Sequence, residues 1–266
     1  MTESCLEGNG IVYRTNEFKS GRATLVFIHG LSGSASAWYP YEHLFEKTYN
    51  LLTFDLRGHG KSKKFRHYEN YELKKAANDL FLLLERLHVE KCILVSHSYG
   101  TLVALEFLLL HQEKVSATVF LSPTAFLKRT RWYPLVKIVG RLLTIFLTLF
   151  PFHPTIRERV DYSPFKNTGD WNMQRIRKDI HITTLRIYLY CLVQAYAKDY
   201  DLLWKKVRVP SLIIHGKDDS IIPVQHAELL AREITGSMLI RLERANHVIV
   251  LNNVPEISES IMTFVS

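Results

Sequence analysis

The run Ser96-His97-Ser98-Tyr99-Gly100 has residue types and spacing suited to nucleophilic chemistry. A strand-like apolar stretch, Cys92 to Val95, leads into it, and a helix-like stretch, Leu102 to Phe107, leads out. A serine at such a strand-to-helix turn is a nucleophile elbow, with its hydroxyl held above the end of a sheet. The turn is so tight that only small residues fit two positions before and after the nucleophile. The usual pattern is Gly-x-Ser-x-Gly, and Ser96 takes the place of its first glycine, a mild departure because serine is small.

A serine hydroxyl is a poor nucleophile near neutral pH. It needs a base to take its proton and an acid to orient that base. The C-terminal third holds residues for both roles. Ser211 to Gly216 reads as a buried strand, followed by Lys217-Asp218-Asp219-Ser220-Ile221-Ile222-Pro223. Met238 to Leu242 reads as the next strand, and Ala245-Asn246-His247 lies in the loop after it. Asp218 and Asp219 compete for the acid. His226, in an expected helix after Pro223, competes with His247 for the base. His97 adjoins the nucleophile but precedes the acid in the chain, so it is expected to pack or hydrogen-bond at the elbow.

These side chains need a scaffold. Ile11 to Thr15, Ala23 to Ile28, Asn50 to Phe54, Lys91 to Val95 and Ala117 to Leu121 read as strands, while Tyr71 to Leu87 carries apolar residues at helical spacing. Alternating strands and helices predict a mainly parallel sheet with helices on both faces. The alternation stops at Ser122-Pro123 and resumes at Val209-Pro210, a gap too long for an ordinary connection. Within it, Arg131 to Phe150 and Asp179 to Tyr200 read as helices. The spacing therefore divides the chain into a core part, 1–123, a helical insertion, 124–206, and a second core part, 207–266.

The chain has 266 residues, 47% hydrophobic and 23% charged, as in ordinary globular domains. Its net charge of +8 is concentrated in one segment: residues 124–206 hold 15 Lys and Arg against 6 Asp and Glu. A basic insertion offers peripheral contact with an anionic membrane surface, or simply a solvated face. Leu142 to Phe150 is markedly apolar but too short to span a bilayer; its plain reading is a helix packed on the core, and its sharper one a lipid-facing or acyl-chain-binding helix. Cys5, Cys92 and Cys191 are odd in number and far apart, which points to reduced thiols in a cytoplasmic setting. The acidic start, Met1 to Glu7, does not read as a secretory signal. Gly30 to Trp38 lacks the spacing of a phosphate loop. No metal-ligand spacing or nucleic-acid motif stands out, so no cofactor, metal or nucleic acid is expected.

Four stretches in one order resemble the α/β-hydrolase family over nearly the whole chain. They are Leu25-Val26-Phe27-Ile28-His29-Gly30-Leu31, Phe54-Asp55-Leu56-Arg57-Gly58-His59-Gly60-Lys61-Ser62, the elbow, and Gly216 to Pro223 with the later His247. The resemblance implies a mostly parallel central sheet flanked by helices, with a helical cap inserted after the sixth strand. The family pattern Gly-x-x-Asp-x-x-x-Pro, laid on Gly216 and Pro223, selects Asp219 as the acid. The loop after the last strand selects His247 as the base. The backbone N–H groups of Leu31 and Tyr99 would form an oxyanion hole. His29 would support that turn and His59 a structural loop. Trp38 and Tyr99 are expected to line the substrate pocket, although packing accounts for them equally well.

The expected activity is a cofactor-independent serine hydrolase cleaving a carboxylic ester of lipid-like or uncharged character through an acyl-enzyme. The same residues also serve amide, thioester or C–C bond cleavage, or perhydrolysis, and fold analogy does not choose among them. Epoxide- and haloalkane-cleaving relatives normally use an aspartate nucleophile, against which Ser98 argues. A non-catalytic binding module is the remaining alternative, disfavoured because all three triad positions are filled.

Overall fold

The computed structural model describes residues 1–130, 133–152 and 154–266. Eight strands form one sheet: β1 (Thr2–Leu6), β2 (Ile11–Thr15), β3 (Thr24–Ile28), β4 (Asn50–Phe54), β5 (Cys92–His97), β6 (Val115–Leu121), β7 (Ser211–Gly216) and β8 (Met238–Leu242). Their spatial order is β1-β2-β4-β3-β5-β6-β7-β8. The β1–β2 and β2–β4 pairs are antiparallel and the rest parallel. Every residue of β3, β4, β5 and β7 is buried, as expected of strands covered on both faces. Strand β1 was not expected. Its residues are mostly exposed, and it is an edge strand formed by pairing with β2, so no apolar alternation marks it.

Ten helices accompany the sheet among the described residues. On the core lie α1 (Tyr39–Phe45), α2 (Leu73–Arg86) and α3 (Tyr99–His111). The insertion between β6 and β7 carries α4 (Tyr133–Leu135), α5 (Arg141–Leu147), α6 (Met173–Thr183) and α7 (Leu185–Ala197). A π-helical stretch, Val136–Gly140, joins α4 to α5 into one continuous rod. After β7 come α8 (Val224–Glu233), α9 (Ile249–Asn252) and α10 (Val254–Val265).

The expected helix from Arg131 to Phe150 is thus present from Tyr133, and positions 131 and 132 lie outside the described residues. The expected helix from Asp179 to Tyr200 is two helices. Thr184 breaks it with φ +76° and ψ 145°, a backbone region hostile to a β-branched residue. Thr183 and Thr184 at the break explain why apolar periodicity alone did not locate it. Leu142 to Phe150 corrects the reading further: its large side chains are mostly exposed, not packed on the core.

Polar pairs fasten the second half of the insertion to the core. Arg159 Nε donates to Asp55 at 2.8 Å, Lys198 Nζ and Tyr200 Oη donate to Glu106 at 2.6 and 2.9 Å, and Asn252 Nδ2 donates to the Thr168 carbonyl at 2.9 Å. Asp55 is fully buried and also accepts the Ala35 and Lys61 backbone N–H groups, each at 2.8 Å. The Asp55-Leu56-Arg57-Gly58 loop is therefore an anchor. Arg57 bonds Asp79 in a two-pronged pair at 2.8 and 2.7 Å.

Candidate active site

β5 ends in the middle of the sheet, and the chain turns there into α3. Ser98 sits on the turn with φ +50° and ψ −121°, the strained backbone of a nucleophile elbow. Gly100 permits it: a Cβ there would lie 2.6 Å from the carbonyl oxygens of Ile28 and His29. Ser96, where the pattern has glycine, is tolerated. It is fully buried, and its Oγ reaches the Val119 carbonyl at 3.4 Å.

The other two residues arrive from the ends of β7 and β8. Gly216 lets the two loops meet, because a side chain there would collide with the Ala245 carbonyl oxygen at 2.2 Å. His247 Nε2 lies 2.8 Å from Ser98 Oγ, and its Nδ1 lies 2.7 Å from Asp219 Oδ2. Ser98, Asp219 and His247, separated by up to 149 positions, thus form one hydrogen-bonded chain. With Nδ1–H donating to Asp219, Nε2 is free to take the serine proton.

Asp219 is held for that role. Its Oδ1 accepts the Ile221 and Ile222 N–H groups at 2.9 and 2.8 Å. Its Oδ2 also receives His215 Nε2 at 3.1 Å. Burial alone would raise this carboxyl, but the hydrogen bonds from His215 and His247 outweigh it and keep the group well below the usual carboxylate range. Asp218 is exposed, so it is not the residue paired with His247. His226 places Nδ1 on the Ala125 carbonyl at 2.8 Å.

The remaining histidines buttress the site. Burial, with His247 close by, pushes His97 down to about 3, so the ring is neutral at pH 7. Its Nε2–H donates to the His247 carbonyl at 2.9 Å. His29 accepts the Leu56 N–H on Nε2 at 3.0 Å and donates Nδ1–H to the Gly30 carbonyl at 2.8 Å. Burial brings His29 down to about 4 and His59 to about 3. His59 Nδ1–H donates to the Arg57 carbonyl at 3.0 Å.

Of the two expected oxyanion donors, Tyr99 directly follows Ser98 and Leu31 directly follows Gly30. Tyr99 opens α3, so its N–H belongs to the first turn, where amides have no intrahelical acceptor and the helix end is electropositive. Leu31 follows Gly30, which lies against the His97 and Ser98 side chains: a Cβ on Gly30 would sit 3.3 Å from that of Ser98. The side chain of Tyr99 is buried in the core cluster that also holds Cys191 of α7. Trp38 is a correction. It is wholly buried against Phe27 and Tyr41, at ring distances of 5.1 and 5.4 Å, because the turn after the Gly30 loop folds back onto β3. It fills the core.

Several neighbours had no signature in the sequence. Thr124 places Oγ1 3.5 Å from Ser98 Oγ. Asp170, in the insertion, accepts the His247 N–H at 2.7 Å and the Ser220 N–H and Oγ–H at 3.0 and 2.7 Å. Thr183 Oγ1 donates to the Ser32 carbonyl at 3.2 Å, tying α6 to the loop after Leu31. His215 alone left a trace, as a lone histidine in an apolar strand. Beside Thr124 lies a cleft of ≈ 10 Å³ between core and insertion, lined by Leu102, Phe126, Tyr133, Tyr196 and Tyr200 among others. Among the described residues there is no cluster of metal-ligating side chains.

Residues 23–254 match the family profile of the alpha/beta hydrolase fold, and the chain belongs to that family of enzymes. It is 26% identical over 274 residues to the uncharacterized hydrolase YugF of Bacillus subtilis (strain 168), covering 96% of this chain and 94% of that protein. It is 23% identical over 264 residues to epoxide hydrolase 4 of Homo sapiens, covering 92% of this chain and 72% of that one. The crystal structure of a hydrolase from Pseudomonas aeruginosa PA01 shares the fold, with a TM-score of 0.77 at 18% identity over 99% of this chain and 98% of that one.

Proposed function

We propose that this hydrolase cleaves a carboxylic ester through an acyl-enzyme on Ser98, with His247 as general base and acid and Asp219 as its orienting carboxylate. The observation that carries the reading is the unbroken contact from Asp219 Oδ2 through His247 to Ser98 Oγ, at 2.7 and 2.8 Å. Ser98 Oγ attacks the carbonyl carbon as its proton passes to His247 Nε2. The N–H groups of Leu31 and Tyr99 take the negative oxygen; one such donor is typically worth about 10²–10³ in rate. Collapse expels the alcohol, which receives the proton from His247. Water, deprotonated by His247, then attacks the acyl carbon and releases the acid with Ser98 restored. The hydroxyl nucleophile favours this reading over epoxide opening, the activity named for the human relative.

Residues 124–206 serve as a cap in this reading. The cleft of ≈ 10 Å³ beside Thr124 holds about one water, so an acyl group would enter there only if the cap yields. The cleft is lined by Phe126, Tyr133, Tyr196 and Tyr200 together with Lys128, Lys198 and Asp201; its aromatic side supports an apolar acyl group. The three free thiols, two of them buried, support a reducing, cytoplasm-like compartment.

Ser98→Ala tests the assignment. Turnover of a short p-nitrophenyl ester should fall by at least about 10⁴-fold with the fold unchanged, and a fluorophosphonate probe should label the wild type and not the variant. Undiminished turnover in the variant would refute it. A panel of esters, anilides and thioesters then ranks the bond types.

A further inference from the structure

The rod from Tyr133 to Leu147 is amphipathic in the wrong sense for a soluble globule. Its inward positions are small or only half-buried: Val136, Gly140, Thr144 and Leu147. Gly140 is pressed so closely on α7 that a Cβ would lie 2.8 Å from Val193 Cγ2. Its outward positions carry large apolar side chains, with Ile138 63%, Leu142 62% and Phe146 53% exposed, and Leu149, in the turn just past its end, is 77% exposed. A helix of a water-soluble protein turns such residues to the core, and a patch of this kind marks an interaction surface.

The rod is firmly held despite this. Arg186 of α7, itself buried, donates to the carbonyls of Leu147 and Phe150 at its C-terminal end. The exposed face is therefore presented on a fixed support.

We infer that this face docks on an anionic lipid surface, the rod lying along the interface with Ile138, Leu142, Phe146 and Leu149 among the acyl chains. The charge of the rod and its apolar face favour lipid over a second copy or another protein. The rod itself carries only basic charges, Lys137 and Arg141, the latter over the Tyr68 ring, while Lys128 and Arg129 before it are paired with Asp199 and Asp201. Two copies meeting rod to rod would bring basic residues together with no acid in either rod to offset them, whereas anionic headgroups complement Lys137 and Arg141. A strong apolar face bordered by basic residues is the pattern of an interfacial helix. No helix of the described residues is long and apolar enough to cross a membrane, so the docking inferred is along the surface and not a span. Tyr133, at its start, also lines the cleft beside Thr124. A docked rod would thus set the entrance toward Ser98 at the lipid boundary.

Flotation of the purified full chain with phosphatidylcholine vesicles, with and without phosphatidylserine, tests the inference. The wild type should float with the anionic vesicles and more weakly with phosphatidylcholine alone. Leu142→Glu with Phe146→Glu should lose at least about tenfold in bound fraction while melting like the wild type, because both side chains are exposed. Lys137→Ser with Arg141→Ser should remove only the gain from phosphatidylserine. Failure of the wild type to float, or equal flotation of the Leu142/Phe146 variant, would overturn it. So would conversion of a dimer to a monomer by that variant, which would assign the face to a second copy. Flotation is read without turnover, so its failure leaves the reading of Ser98 untouched.

Discussion

Asp170 accepts the backbone N–H of His247 at 2.7 Å, across a sequence separation of 77 residues. Its other oxygen takes both the N–H and the hydroxyl of Ser220, the residue next to Asp219. One buried carboxylate from the insertion thus grips the loops that carry His247 and Asp219. If those residues act as base and acid, the insertion helps to position them.

Removing that grip should misplace His247 while leaving its side chain intact. Asp170→Ala strands the buried His247 N–H, at about 1–3 kcal/mol, and frees the exposed Ser220. Small displacements of a catalytic group cost up to about 10²-fold in rate. We expect kcat to fall by about 10- to 100-fold with KM little changed. Asp170→Asn keeps an acceptor for the His247 N–H and should recover part of the loss. Steady-state kinetics with both variants checks this. Equal kcat in Asp170→Ala and the wild type would remove Asp170 from the mechanism.

The two adjacent aspartates offer a sharper contrast. Asp219 contacts His247 and His215, whereas Asp218 is exposed. Asp219→Asn should lower kcat by about 10³–10⁴-fold, because the amide no longer enforces the tautomer with a free Nε2. Asp218→Asn should change kcat less than about twofold, since it touches neither reacting group. Comparable losses in both variants would mean that the Asp219–His247 contact does not govern turnover.

Much of this site was legible because each of its motifs is local. The elbow needs small residues around Ser98, and Gly100 shows why: two carbonyl oxygens occupy the space of a side chain. Gly216 fixes the acid in the same way, by admitting the Ala245 loop. Central strands were readable as apolar runs because both of their faces are covered. Strand β1 was not, because its residues are held by edge pairing and mostly face solvent. Trp38 misled because an aromatic residue near a catalytic loop reads alike as core or pocket, and only its contacts with Phe27 and Tyr41 decide. Asp170 and Thr124 were invisible because their roles are long-range contacts without a spacing rule. The rod from Tyr133 showed its composition but not its orientation, which depends on the small Gly140 seating it against Val193.

Asp179 links the stability of the cap to pH. It lies on α6, whose last residue, Thr183, holds the Ser32 carbonyl next to Leu31. Burial raises the Asp179 carboxyl to about 6, although the Tyr162 hydroxyl donates to it at 2.7 Å and Arg175 lies 3.5 Å away, both of which pull it down. A carboxyl raised on folding contributes stability that is complete below its unfolded value of about 4. That contribution is lost as pH rises through about 6. The rise corresponds to roughly 3 kcal/mol. Asp179→Asn mimics the protonated form and keeps an acceptor for Tyr162. Wild type and variant should therefore be about equally stable near pH 4, with the variant gaining by up to roughly 2–3 kcal/mol above pH 7. Urea midpoints measured for both proteins across this range check the sign, because the difference cancels every other titrating group. A difference that stays flat from about pH 4 to 8 would show that the carboxyl is ionised throughout, with Arg175 and Tyr162 outweighing its burial.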